Sequence, residues 1–154
     1  MDSILYLLVP GMFTLIFPLF FCGIIFLISR LGWGRFANEF ATDYGKPSGG
    51  ESASFQSLRI GPLFPGMNYN NIVTIAASSE GLFLAPSFFL FRIGHRDLLI
   101  PWNRIDAITA GKSLWFDTHT LEVRGGYPKI TIYRQIGNAV RRHWEAATKR
   151  QGRA

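Results

Sequence analysis

The chain has 154 residues, of which 48% are hydrophobic, 15% aromatic and only 17% charged, with a formal net charge of +6. So much apolar side chain excludes whole-chain disorder, a single cysteine, Cys22, excludes a disulfide scaffold, and the length suits one domain. The charge is also unevenly placed, because residues 3–29 contain no Asp, Glu, Lys or Arg.

Ile4 to Ile28 reads ILYLLVPGMFTLIFPLFFCGIIFLI. In helix this stretch measures about 37 Å at about 1.5 Å per residue, more than the roughly 30 Å hydrocarbon core. The sequence therefore predicts a transmembrane anchor over 1–30, with Pro10, Pro18 and Cys22 inside the span. Proline is tolerated in a membrane helix, where it kinks the axis. A cleaved signal peptide needs a cationic start, and Met1-Asp2-Ser3 has no basic side chain. Cys22 follows Phe21, which does not fit a lipoprotein signal, and it reads as a small apolar residue in the span. Arg30, Arg35 and Lys46 follow the span and no Lys or Arg precedes it. The positive-inside rule then puts the N-terminus outside and the C-terminal part in the cytoplasm.

The connector, 31–54, opens with WGRFANEFATDY. Trp33, Phe36, Ala37, Phe40, Ala41 and Tyr44 recur at spacings of three and four, the apolar face of a helix. Two placements fit it: in the headgroup layer with Trp33, Phe36 and Phe40 down and Arg30 and Arg35 at the interface, or against the globular domain. Lys46 to Ser54 has the composition of a flexible linker.

From 55 to 154 the texture is that of short strands. Phe55–Ile60 is a first strand, and Asn71–Ser78 is rich in strand formers. Ser79-Glu80-Gly81 is a tight turn leading into Leu82–Ala85, and a further apolar stretch, Ser87–Ile93, ends in the turn Gly94-His95-Arg96-Asp97. Leu98–Ala110 contains Pro101, which argues for an edge or a bulge. Leu114–Arg124, a hairpin at Gly125-Gly126 and the alternating Lys129–Arg134 follow. The chain closes with a helix over about 138–150, its stripe formed by Val140, Trp144, Ala147 and Ile136. The expected class is α+β, mainly antiparallel, with a partly open barrel plugged by the C-terminal helix. Trp102, Trp115 and Trp144 are expected in the core.

Glu80-Gly81-Leu82-Phe83-Leu84, then Leu98-Leu99-Ile100-Pro101-Trp102 with Ile105, then the closing helix around Trp144 resemble the pleckstrin-homology-like superfold, in particular its GRAM-like and bacterial versions. One anchor ahead of such a domain also resembles bacterial single-pass proteins of the inner membrane. The resemblance implies a PH-like barrel over 55–154 and a role in binding lipid headgroups or peptides. Phosphoinositide-binding relatives carry several cations between the first two strands, and here that loop, 61–70, has none.

The candidate contacts for a partner or a lipid surface are Leu63, Phe64 and Met67 in that loop, Trp102 on a Pro-marked edge, and Arg141, Arg142, Lys149 and Arg150 on the terminal helix. A basic helix near an anionic leaflet gains about 1 kcal/mol per cation that reaches it. His95, His119 and His143 lack ligand partners at metal spacing, and no nucleophile elbow, zinc-helix pair or phosphate loop occurs. The expectation is a non-enzymatic binding module on the cytoplasmic face, integral to the membrane, without cofactor, metal or nucleic acid. It would engage a partner protein or an anionic membrane surface. The alternatives are a lipid-handling enzyme or accessory subunit, or a structural subunit of a membrane complex.

Overall fold

The computed structural model describes residues 14, 16–27, 30, 32–62, 66–113 and 115–152. Residues 16–27 form a helix, α1, whose Phe17, Leu19, Phe20, Phe26 and Leu27 are exposed. Among the described residues no helix is long and apolar enough to cross a membrane. Pro18 and Cys22 lie on α1, whereas Ile4, Pro10 and Ile28 of the expected span fall outside the described residues.

Helix α2, Trp33–Phe40, answers the question the connector left open. Its apolar face is on the domain: Trp33, Phe36 and Phe40 are buried in the main core. They are core residues rather than headgroup anchors, because aromatic partners from distant loops meet them there. Phe36 stacks on Tyr127 with centroids 5.0 Å apart, Phe40 lies 5.4 Å from the same ring, and the Trp33 indole N–H donates to the Arg96 carbonyl at 2.7 Å. Ala41 is already extended and bridges Leu98, so the helix stops before Tyr44, which is 99% exposed.

The expected flexible linker is also shorter than its composition suggests. Strand β1 begins at Glu51 rather than Phe55 and runs to Ile60. Gly50 has φ +138°, and a Cβ there would collide with the Ala77 carbonyl. Only glycine lets the chain press so closely on the neighbouring strand.

Six more strands follow: β2 (Met67–Ala77), β3 (Gly81–Pro86), β4 (Leu98–Pro101), β5 (Ile105–Ser113), β6 (Phe116–Val123) and β7 (Ile130–Tyr133). They form one antiparallel sheet in the order β4-β3-β2-β1-β7-β6-β5. The apolar run Leu98–Ala110 supplies both edges of it. Pro101 ends edge strand β4, a single 3-10 turn, Trp102–Arg104, intervenes, and β5 starts the opposite edge. So short a link between the two ends of the order requires the sheet to curl, and it does so as a half-barrel. Bulges help. The β1–β2 register shifts between Ala53 and Gln56 and again before Leu58, with Phe55 (φ 55°) and Asn71 (φ 53°) left-handed, and such irregularities bend and twist a ladder.

The concave face holds Leu58, Ile60, Ile75, Leu84, Ile100, Leu121 and Ile130, all nearly solvent-free. Helix α3, Ile136–Gln151, covers it, burying Ile136, Ala139 and Val140. Trp144 and Ala147 pack partly buried on the same core, and the Trp144 indole donates to the Ile105 carbonyl at 3.0 Å. The expected stripe is therefore right, and the helix starts slightly earlier than expected.

Two expectations fail in the loops. Gly125-Gly126 is not a two-residue hairpin. The β6–β7 loop spans 124–129, both glycines have positive φ, and Tyr127 reaches over α2, where its hydroxyl donates to the Glu39 carboxylate. Trp115 is not in the core: it is 92% exposed at the β5–β6 turn, where the two strands extend past the region α3 covers.

Candidate functional site

An open groove of about 570 Å³ lies between β1, the β5–β6 turn and the start of α3. One wall is β1. It pairs with β7 only over Leu58–Ile60, so along 51–57 that edge carries no strand among the described residues. The opposite wall is Trp115 and Phe116, and the floor is Ile136 and Ala139 from α3. Arg134 stands at the junction. It takes a left-handed conformation (φ 70°), an uncommon one for a side-chain-bearing residue, and its N–H donates to the Asp117 carbonyl at 2.9 Å. That turn swings the chain from β7 into α3 and lays the guanidinium over the Phe116 ring, 5.4 Å from its centroid.

The groove is amphipathic. Trp115 and Phe116 give an apolar shelf, and Arg134, Asp117 and Glu51 give charge at its margins. Glu51 is engaged by Arg142 at 2.8 Å, with His143 at 4.0 Å. Such a site can hold an extended chain, with backbone groups along the free edge of β1 and a side chain on the indole.

Other expected site residues are scattered by the fold. Leu63 and Phe64 lie outside the described residues, and Met67, at the start of β2, is partly buried against the core. Trp102 is not at an open binding edge. It is 5% exposed, donates to the Ser78 carbonyl at 2.8 Å and stacks near His143. A 3-10 turn after Pro101 directs the indole inward, where the buried carbonyl satisfies its N–H. On α3, Arg141 pairs with Glu145 at 2.7 Å and Arg142 with Glu51, while Lys149 and Arg150 are exposed. Arg30 and Arg35 are exposed, and Arg35 donates to the Gly126 carbonyl at 3.2 Å.

The histidines are dispersed too. His95, expected in a turn, is 3% exposed between Trp33 and Tyr69, with ring centroids 5.5 and 5.7 Å away. Its nitrogens and the Tyr69 hydroxyl make no well-formed hydrogen bond, although the backbone of Phe91 and Ile93 lies beside His95. Burial lowers the His95 pKa and raises that of Tyr69 well above the usual phenol value. The pKa of His119, buried on β6 beneath α3, is likewise lowered, by burial first and Arg141 second, with Asp117 and Asn138 opposing. Asp97 is shifted upward by burial, with Arg92 opposing. Among the described residues no three of His, Cys, Asp and Glu gather into a metal-holding cluster.

The groove went unseen in the sequence because its residues come from three distant segments. The one signal that bears on it is Leu114-Trp115-Phe116 beside a turn, which composition alone reads as core. No protein-family model and no curated protein matches the chain.

Proposed function

We propose that the chain is a membrane-anchored binding module whose β domain takes an extended segment of a partner protein in the groove beside β1. The observation that carries this is Trp115. A tryptophan 92% exposed, beside Phe116 on the rim of a groove with a free strand edge, is costly in water, and aromatic anchors of this kind dominate protein recognition. The strand order, a four-strand meander joined through β1 and β7 to a three-strand meander and followed by a helix, supports the PH-like reading. Anchoring is supported by the charge-free stretch 3–29 and by the exposed apolar side chains of α1, which a freely soluble chain would have to shield. Arg30, Arg35 and Lys46 support a cytoplasmic domain.

A photo-crosslinking residue at position 115 of the full chain, in its native membrane, tests the groove. The expected result is one discrete adduct that is lost in Arg134→Glu and absent when the probe is at the exposed Tyr44. Equal labelling from positions 115 and 44 refutes a defined site. Arg134 is exposed, so Arg134→Glu should keep the parent's thermal unfolding midpoint, and that midpoint, read alongside, separates loss of the site from unfolding.

A further inference from the structure

A second exposed apolar patch lies on the β3–β4 loop. Phe88 is 45% exposed, Phe89 69% and Ile93 42%, and Phe55 of β1 adds a side chain 59% exposed. Phe88 and Phe89 form a ring pair 5.1 Å apart at the head of a 3-10 turn, Phe89–Arg92. The root of this loop is held, not loose. The Ser87 hydroxyl accepts from the Phe55 backbone N–H at 3.0 Å and bonds the Thr74 hydroxyl at 2.9 Å. Phe55 is presented from a left-handed backbone (φ 55°), a strained conformation for a bulky residue, and its ring points to solvent.

The far end of the same loop meets the end of α1. Gly94 and Arg96 share a cavity of about 270 Å³ with Phe26, Arg30, Gly34 and Arg35. Arg30, Arg35 and Arg96 line it, and Arg92 closes the 3-10 turn of the same loop. Among the described residues the carboxylates that answer these cations are Asp43, on Arg96 at 3.0 Å, and Asp97, on Arg92 at 4.0 Å. Apolar side chains beside an arginine cluster, at the end of a charge-free apolar helix, have the chemistry of a bilayer interface.

We propose that this loop is a second membrane contact, with Phe55, Phe88, Phe89 and Ile93 entering the acyl boundary and Arg30, Arg92 and Arg96 meeting anionic headgroups of the bilayer that holds the anchor. The proposal rests on the anchored reading above. The loop would fix the domain's attitude to the membrane and so the direction in which the groove faces.

The test is Phe89→Trp in the full chain, reconstituted into phosphatidylcholine vesicles with and without phosphatidylglycerol, the phosphatidylcholine being acyl-brominated. The expected result is added emission that is blue-shifted and mostly quenched by bromine, more so with phosphatidylglycerol and less so at high salt. The parent chain, whose exposed Trp115 lies elsewhere, should be quenched little. Unquenched, red-shifted emission from a chain that still floats with the vesicles after an alkaline wash overturns the loop contact and leaves the anchor standing. Blue-shifted but unquenched emission means that protein, a second copy included, covers the patch, and also overturns it. A chain that no longer floats overturns the anchored reading and this proposal together.

Discussion

Phe36→Ala separates the two placements of α2. Phe36 is fully buried and stacks on Tyr127 at 5.0 Å, and truncating such a ring costs about 3–5 kcal/mol. Domains of this size are stable by about 5–15 kcal/mol, so the loss takes a large share of the total. In urea, with a slope of about 1–3 kcal/mol per molar, a 4 kcal/mol loss lowers the midpoint by roughly 1–4 M. The assay is urea unfolding of the full chain in mild detergent, followed by circular dichroism and tryptophan fluorescence. Tyr44→Ala is the control: at 99% exposure it should shift stability by less than about 0.5 kcal/mol. A loss below about 1 kcal/mol for Phe36→Ala would mean that the helix lies off the sheet and that its burial in the core is wrong. The same reasoning predicts that a fragment starting at Glu51 aggregates, because removal of α2 uncovers Tyr127, and that one starting at Gly32 folds.

Three further outcomes follow from the packing. Gly137→Ala should destabilise although alanine favours helix by about 1 kcal/mol, because its Cβ would enter the His119 ring; in a His119→Ala background the sign should reverse, and a double-mutant cycle by thermal unfolding reads the coupling. Stability should be flat between about 6.5 and the phenol range, where the raised Tyr69 pKa makes it fall again, and it should fall below about 6.5, since burial lowers the folded-state pKa of His95 and His119 and the unfolded chain then binds protons first. The slope is at most about 1.4 kcal/mol per pH unit for each histidine, Asp97 acts oppositely only in the more acidic carboxylate range, and a melting temperature that does not fall between pH 7.5 and 5.5 would refute the downward shift of both rings. Trp144→Ala should cost about 3 kcal/mol and Trp144→Phe about 1 kcal/mol, the hydrogen bond to Ile105 being lost in both; equal costs would show that area contributes little there.

Much of the fold is legible wherever local chemistry and tertiary structure agree. The helix stripe of Val140, Trp144 and Ala147, the tight turn before Gly81 and the edge position of Pro101 are each set by neighbours in sequence. The failures are all matters of distant neighbours. Trp33 and Trp115 are the same residue type near turns. One is buried because Tyr69, His95 and the Arg96 carbonyl surround it, and the other is exposed because the β5–β6 hairpin outruns the cover of α3. Residues 46–50 have linker composition, yet Gly50 uses its missing Cβ to approach Ala77, so the same glycine that signals flexibility in a chain produces a close contact in the fold.

The groove and the β3–β4 loop escaped the sequence for a related reason, and that reason bears on function. Patterning identifies apolar residues but not which of them remain uncovered once the sheet has curled. Phe88, Phe89 and Trp115 carry the same hydrophobic signal as Phe36 and Phe83, yet the first three are exposed and the last two are nearly solvent-free. What distinguishes them is topology. Phe36 lies in the core that α2 and α3 cover and Phe83 in a smaller cluster with Ala76, Ala85 and Leu99, whereas the aromatic residues on the turns beyond the helices belong to neither cluster. Covering them with a bilayer at one loop and a partner chain at the other resolves both exposures, and the vesicle and crosslinking measurements address the two surfaces independently.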